Sequence, residues 1–213
     1  MSSKFIVLIL SFIVFSCENS KERFELPVYG IPKIKPRTSA DGTVAYDTIE
    51  HKIQDFKLIN QDSIIITNET FRDKIYVADF FFTSCPTICP KMKRNMYHIY
   101  DVFKDEDMVS FISHTVDPLN DTVEKLRKFS KKLNIRNEKW HFATGELEKI
   151  YDLGIKSYMV VAREDATVPG GFLHSGAFLL VDKERRIRGV YDGTSRLEIN
   201  KLIIDMNKLI DSY

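Results

Sequence analysis

Residues Lys74 to Phe82 read Lys-Ile-Tyr-Val-Ala-Asp-Phe-Phe-Phe, a nearly unbroken apolar run rich in β-branched and aromatic side chains. A half-exposed strand would alternate apolar and polar residues. This run does not, so it fits a central strand covered on both faces. Such a strand requires a sheet with helices packed against it, and the flanking sequence supplies them. Pro90 opens a helical pattern to about Phe103, with Met92, Met96, Ile99 and Phe103 as its apolar stripe. Met108 to Val116 reads as a second buried strand ended by Asp117-Pro118. A helix is predicted from Asp121 to Leu133, with Asp121 or Thr122 as N-cap and Val123, Leu126, Phe129 and Leu133 facing inward.

The remainder continues the alternation. Upstream, His51 to Ile59 and Ser63 to Thr67 form a hairpin around Asn60-Gln61-Asp62. Downstream come a short strand at Trp140 to Ala143, a helix from Glu146 to Leu153 stopped by Gly154, and a strand at Ser157 to Ala162. Arg163 to Leu173, with Pro169, Gly170 and Gly171, reads as a polar loop. Gly176 to Val181 and Ile187 to Tyr191 make a second hairpin, and Leu197 to Leu209 a closing amphipathic helix. This order predicts an α/β fold, a mixed sheet between helices with an N-terminal hairpin extension.

The 213 residues carry a net charge of +1, so no polybasic surface is implied and nucleic acid is excluded as an expected partner. With 44% hydrophobic residues and three cysteines, the chain is neither a long disordered polymer nor a cysteine-stapled mini-protein.

At the N-terminus, Lys4 precedes an apolar run from Phe5 to Phe15 that is too short to span a bilayer. Ile13-Val14-Phe15-Ser16-Cys17 resembles a bacterial lipobox, with Val14 where Leu is usual. Residues 1–16 are accordingly expected to be a lipoprotein signal peptide, with Cys17 lipidated and residues 17–48, broken by Pro27, Gly30, Pro32, Pro36 and Gly42, a lipid-attached tether. An uncleaved anchor or an ordinary secretory signal remains an alternative. Residues 49–213 form the expected globular domain, facing the periplasm or cell exterior.

The buried strand leads into Thr83-Ser84-Cys85-Pro86-Thr87-Ile88-Cys89-Pro90. Cysteines at i and i+4 at the start of a helix can point the same way. The helix N-terminus favours thiolates, so the pair is expected to have lowered pKa values and to suit a soft cation, Cu(I) above all. A structural zinc wants four protein ligands, which two thiols and a histidine do not provide. His174, where the glycine-rich loop meets the strand Ala177 to Val181, is the best third ligand, although spacing does not give its distance from Cys85. His51, His98, His114 and His141 fit surface or core positions, and Met92 with Met96 fits packing. The two cysteines can alternatively close a disulfide or perform thiol–disulfide exchange. Asp79 precedes them, and strand alternation leaves open which way it faces.

Phe81-Phe82-Thr83-Ser84-Cys85-Pro86-Thr87-Ile88-Cys89-Pro90, then Thr115-Val116-Asp117-Pro118, then His174 before a strand ending in Val181-Asp182, resemble the Sco/SenC family over roughly residues 50–211. The resemblance implies a thioredoxin-like fold and a copper site formed by Cys85, Cys89 and His174, for Cu(I) and in some states Cu(II). It also implies delivery of copper to the binuclear site of cytochrome c oxidase subunit II or a related copper acceptor, or reduction of that subunit's cysteines. Turnover as an enzyme is left open, as is a role as a copper or redox sensor. One departure is Leu173, where the family commonly carries Asp before the ligand histidine.

Overall fold

The computed structural model describes residues 25–213; the signal sequence and Cys17 lie outside the described residues. Among the described residues, eleven strands and four α-helices follow one another. The strands are β1 Lys33–Thr38, β2 Val44–Ile49, β3 Lys57–Asn60, β4 Ile65–Thr67, β5 Ile75–Phe81, β6 Val109–Thr115 and β7 Trp140–Thr144, then β8 Ala162–Glu164, β9 Phe172–His174, β10 Ala177–Val181 and β11 Ile187–Asp192. The helices are α1 Cys89–Phe103, α2 Val123–Leu133, α3 Leu147–Asp152 and α4 Arg196–Asp211.

Seven strands form one mixed sheet in the order β11-β10-β5-β6-β7-β3-β4. β5, β6 and β7 run parallel at its centre, joined by crossovers through α1 and α2. Every residue of these three strands is buried, as the missing alternation in Ile75 to Phe81 requires. The two faces of β5 nevertheless differ. Phe81 points to the α1–α2 side, its ring centroid 5.7 Å from that of Phe129 on α2, whereas Phe80 points to the other side and meets Tyr158 at 5.6 Å. The arrangement is a thioredoxin-like α/β fold, with the predicted hairpin present as β3–β4.

Two segments differ from their sequence-based reading. Ser157 to Ala162 is not a strand. The chain leaves α3 through a π turn, Leu153–Ser157, and Met159 adopts φ +56°, so Tyr158 and Val160 donate to the carbonyls of Leu153 and Gly154 rather than to a ladder. Arg163 to Leu173 is not wholly a loop, because β8 and β9 pair antiparallel with Ala162 opposite His174. Strands of three residues leave no periodicity to detect. A further two-stranded sheet, β1–β2, falls within the stretch read as tether.

Candidate metal centre

β5 ends at Phe81, and the chain turns through Thr83 to Ile88 before α1 begins at Cys89. Thr83 ties this turn down. Its backbone N–H donates to Asp121 Oδ2 at 2.9 Å and its hydroxyl donates to Asp121 Oδ1. Asp121 Oδ2 also accepts from Thr115 at the end of β6, at 2.7 Å. Asp121 is fully buried and does not cap α2, a task that falls to Thr122. It buckles the cysteine turn to the neighbouring strand, a role invisible in sequence because its partners lie 38 and 6 positions away.

The third member arrives on β9. Phe82 meets Phe172 at 5.2 Å and stands edge-on to His174 at 5.8 Å. The loop before β9 approaches the cysteine turn so closely that a Cβ on Gly170, whose φ is +89°, would lie 2.8 Å from the Phe82 ring. Glycine is required there on both counts.

The result is a buried trio. Cys85 Sγ, Cys89 Sγ and a ring nitrogen of His174 lie within 4.8 Å of one another, and Cys89 Sγ is 3.1 Å from His174 Nε2. Ligands each about 2.3 Å from a thiophilic ion stand no more than about 4.6 Å apart, so the trio matches a shared ion with little movement. Among the described residues no other cluster of this kind occurs. His174 Nδ1 donates to the Ser175 carbonyl at 3.2 Å, which leaves the Nε2 lone pair facing the sulfurs. Burial lowers the imidazole pKa, which favours the neutral ring that a metal ion would require.

The two thiols are not equivalent. Burial raises Cys85, but hydrogen bonds from Cys89 and from the Thr87 and Cys89 backbone outweigh it, and its pKa falls below the ordinary thiol value. Burial dominates at Cys89 and pushes its pKa up, against the expectation that the helix N-terminus would lower both. Both cysteines are free thiols in this structure. A mostly apolar cleft of about 390 Å³ opens beside them, between Phe82, Phe129 and Leu133.

Beneath the thiols lies a charged network that sequence reasoning only half saw. Lys93, one turn after Cys89, is buried; its Nζ is 2.8 Å from Asp79 Oδ2 and donates to Ser113 Oγ at 2.8 Å. Ser113 in turn donates to Asp79 Oδ1 and accepts from Trp140 Nε1 at 3.0 Å. The Lys93 ammonium also sits 4.0 Å from the Phe81 ring centroid. Asp79 therefore faces α1, and Lys93 turns inward to meet it. The other histidines stay apart from the trio. His114 and His141 are core residues, His51 meets the Ser157 carbonyl, and His98 meets Arg196 at the surface. Met92 and Met96 are fully buried packing residues.

Comparison with known proteins agrees with this geometry. The SCO1/SenC family model matches residues 45–211. A SCO1/SenC family lipoprotein from Bacillus anthracis is 30% identical, with a TM-score of 0.69 over 75% of this chain and 95% of that one. BsSco, a member of the Sco family of cytochrome c oxidase assembly proteins with an identified disulfide switch, is 28% identical, with a TM-score of 0.66 over 75% and 93%. Arabidopsis thaliana ScoI with copper bound is 25% identical, with a TM-score of 0.63 over 75% and 98%. With a family match across nearly the whole described domain and a buried Cys-Cys-His cluster able to hold a metal ion, the chain belongs to the SCO1/SenC family.

Proposed function

We propose that the protein is a membrane-tethered copper chaperone that binds copper through Cys85, Cys89 and His174 and passes it to the binuclear copper site of cytochrome c oxidase subunit II. One observation carries this reading: two sulfurs and one imidazole nitrogen converge within 4.8 Å, with no fourth ligand in the cluster among the described residues. Two thiolates and one neutral nitrogen suit Cu(I), and an unfilled coordination sphere admits an incoming ligand. Copper is cargo here. The adjacent cleft gives an acceptor thiolate a path to the ion, after which Cys85, Cys89 and His174 are displaced one at a time. The copper-bound Arabidopsis relative and the oxidase-assembly description of BsSco support the assignment.

Residence at a membrane follows, in this reading, from acylation of Cys17 after removal of residues 1–16. The sequence from Lys4 to Cys17 and the lipoprotein from Bacillus anthracis support it. Among the described residues no helix is long and apolar enough to cross a membrane.

A second reading has its own support, the disulfide switch of BsSco and the split between the two thiols. As a reductase, Cys85 thiolate attacks one sulfur of a partner disulfide and expels the other as a thiolate. Cys89 then loses its proton and attacks Cys85 Sγ, which releases the second partner thiolate and leaves the Cys85–Cys89 disulfide. The partner gains two electrons and this pair loses them.

Cu(I) titration and transfer to the copper-binding domain of subunit II separate the two. Wild-type protein is expected to bind one Cu(I) and yield it to the acceptor. Cys85→Ala and Cys89→Ala each abolish tight binding, and His174→Ala weakens it by about tenfold or more, on the scale of one lost interaction of about 1.4 kcal/mol. Unchanged affinity after both cysteine substitutions would sink the chaperone reading. Stoichiometric reduction of the acceptor disulfide without copper transfer would establish the second.

A further inference from the structure

The segment through which the chain enters the domain bears on how the domain stands at a membrane. Leu26 is buried, and the Leu26 and Pro27 carbonyls accept from Arg188, Pro27 at 3.1 Å from Nε. Arg188 is buried as well, its Nη1 3.0 Å from Asp182 Oδ2. Tyr29 N–H donates to Ile187 O at 2.8 Å; on the return leg Ile53 N–H donates to Arg185 O at 2.8 Å, and His51 Nε2 lies 2.6 Å from the Ser157 carbonyl. Both legs of the β1–β2 hairpin are therefore pinned around the β10–β11 turn. That turn lies where β5 begins, because Val181 pairs with Tyr76. Cys85 follows the other end of β5. Chain entry and metal cluster occupy opposite poles, separated by the seven residues of β5, or about 23 Å at about 3.3 Å per residue.

The hairpin projects from the entry pole with one apolar face. In its register Pro36 lies opposite Tyr46 and Thr38 opposite Val44, so Ile34, Pro36, Val44 and Tyr46 share a side. Lys33, Lys35, Arg37 and Asp47 share the other. Ile34 and Tyr46 are each 69% exposed and Val44 51%, so nothing among the described residues covers this face.

We propose that the apolar face of the β1–β2 hairpin lies on the bilayer surface and seats the domain with its metal cluster at the pole away from the membrane. The proposal rests on the lipid attachment at Cys17 set out above. Leu26 follows Cys17 by nine residues, and nine residues span at most about 32 Å. An anchor at Cys17 therefore holds the pinned pole, and the hairpin four residues beyond Tyr29, within reach of the bilayer. Amphipathic elements at that depth bury their apolar face about 5–10 Å into the headgroup–acyl boundary, and a tyrosine suits that boundary because one end is apolar and the other polar.

The test uses the full chain reconstituted into phosphatidylcholine–phosphatidylglycerol vesicles whose acyl chains carry bromine, a short-range quencher of tryptophan. Tyr46→Trp places a reporter on the apolar face, Asp47→Trp on the opposite face, and Leu119→Trp beyond the end of β6 at the metal pole. The native Trp140 is fully buried and supplies a constant background. The β1–β2 sheet is separate from the main sheet, so the first two substitutions leave the core intact. Bromination is expected roughly to halve the Tyr46→Trp signal and to leave the Asp47→Trp and Leu119→Trp signals near their values in plain vesicles. Protein that sediments with vesicles but shows equal quenching at Tyr46→Trp and Asp47→Trp, or strongest quenching at Leu119→Trp, overturns the proposal while leaving the anchor standing; the hairpin face then belongs to a protein partner. Protein that stays in the supernatant overturns the anchor, and the seating falls with it.

Discussion

Lys93 shows how little the charge of sequence neighbours says about burial. Lys91 and Arg94 are exposed, as charged positions near a helix start usually are, yet Lys93 turns inward to Asp79 because it shares a helix face with Cys89 and Met96. Removing one member of a buried ion pair strands the other in a low dielectric and costs about 3–5 kcal/mol, whereas replacing both by apolar residues is often neutral. Lys93→Met is therefore expected to lower unfolding stability by that amount, and Asp79→Leu combined with Lys93→Met to recover most of it. Urea denaturation of the three proteins checks this; equal loss in the single and double variants would show that the network contributes through packing instead.

At the scale of elements, the Cys-Cys-His cluster depends on two pieces that belong to different sheets. The cysteine turn is held by the main sheet through Thr83, Asp121 and Thr115, while His174 rides on the short β8–β9 hairpin. Gly170 sets the contact between them. Gly170→Ala forces a side chain into the left-handed region and against Phe82, a strain of about 1–3 kcal/mol that displacement of the hairpin relieves. Cu(I) affinity, read by competition with a chromophoric chelator, is expected to fall by about tenfold to a hundredfold, since about 1.4 kcal/mol is a factor of ten. The thermal midpoint of the main sheet should move little, because β8 and β9 lie outside it.

For the whole molecule, two core histidines govern the acid limit of the fold. Burial pushes both His114 and His141 down to about 4; His114 stacks on Phe80 at 4.7 Å and His141 meets Asn60 at 3.2 Å. The unfolded chain protonates near 6.5, so between about 6.5 and 4 it holds more protons than the native state. Stability is then full above pH 7 and declines as the solution is acidified through that window. A tenfold change in proton affinity between the folded and unfolded chain corresponds to about 1.4 kcal/mol, so each histidine accounts for a loss of about 3 kcal/mol across the window. Urea midpoints at neutral pH and at about pH 4.5 measure it, and His114→Phe should flatten the dependence. The same scale separates the chain entry from the Cys-Cys-His cluster, which the β5 strand holds at opposite poles.

Much of this was legible without coordinates. The missing alternation in Ile75 to Phe81 dictated a strand buried on both faces, the stripe from Met92 to Phe103 dictated α1, and the Cys85–Cys89 spacing at a helix entrance brought two thiols to one side of the turn, because each rests on neighbours within a turn or two. Tertiary structure alone decided what depends on distant partners. It brought His174 to the sulfurs across 85 residues, split the two thiols by burying Cys89 more deeply in the apolar core, and turned Lys93 toward Asp79. It also placed the three-residue strands β8 and β9, too short to carry a periodic signal, where their pairing aligns His174. Local pattern reports which face of an element must be buried. Which other element buries it, and with what partner charge or ligand, is settled only when the sheet closes.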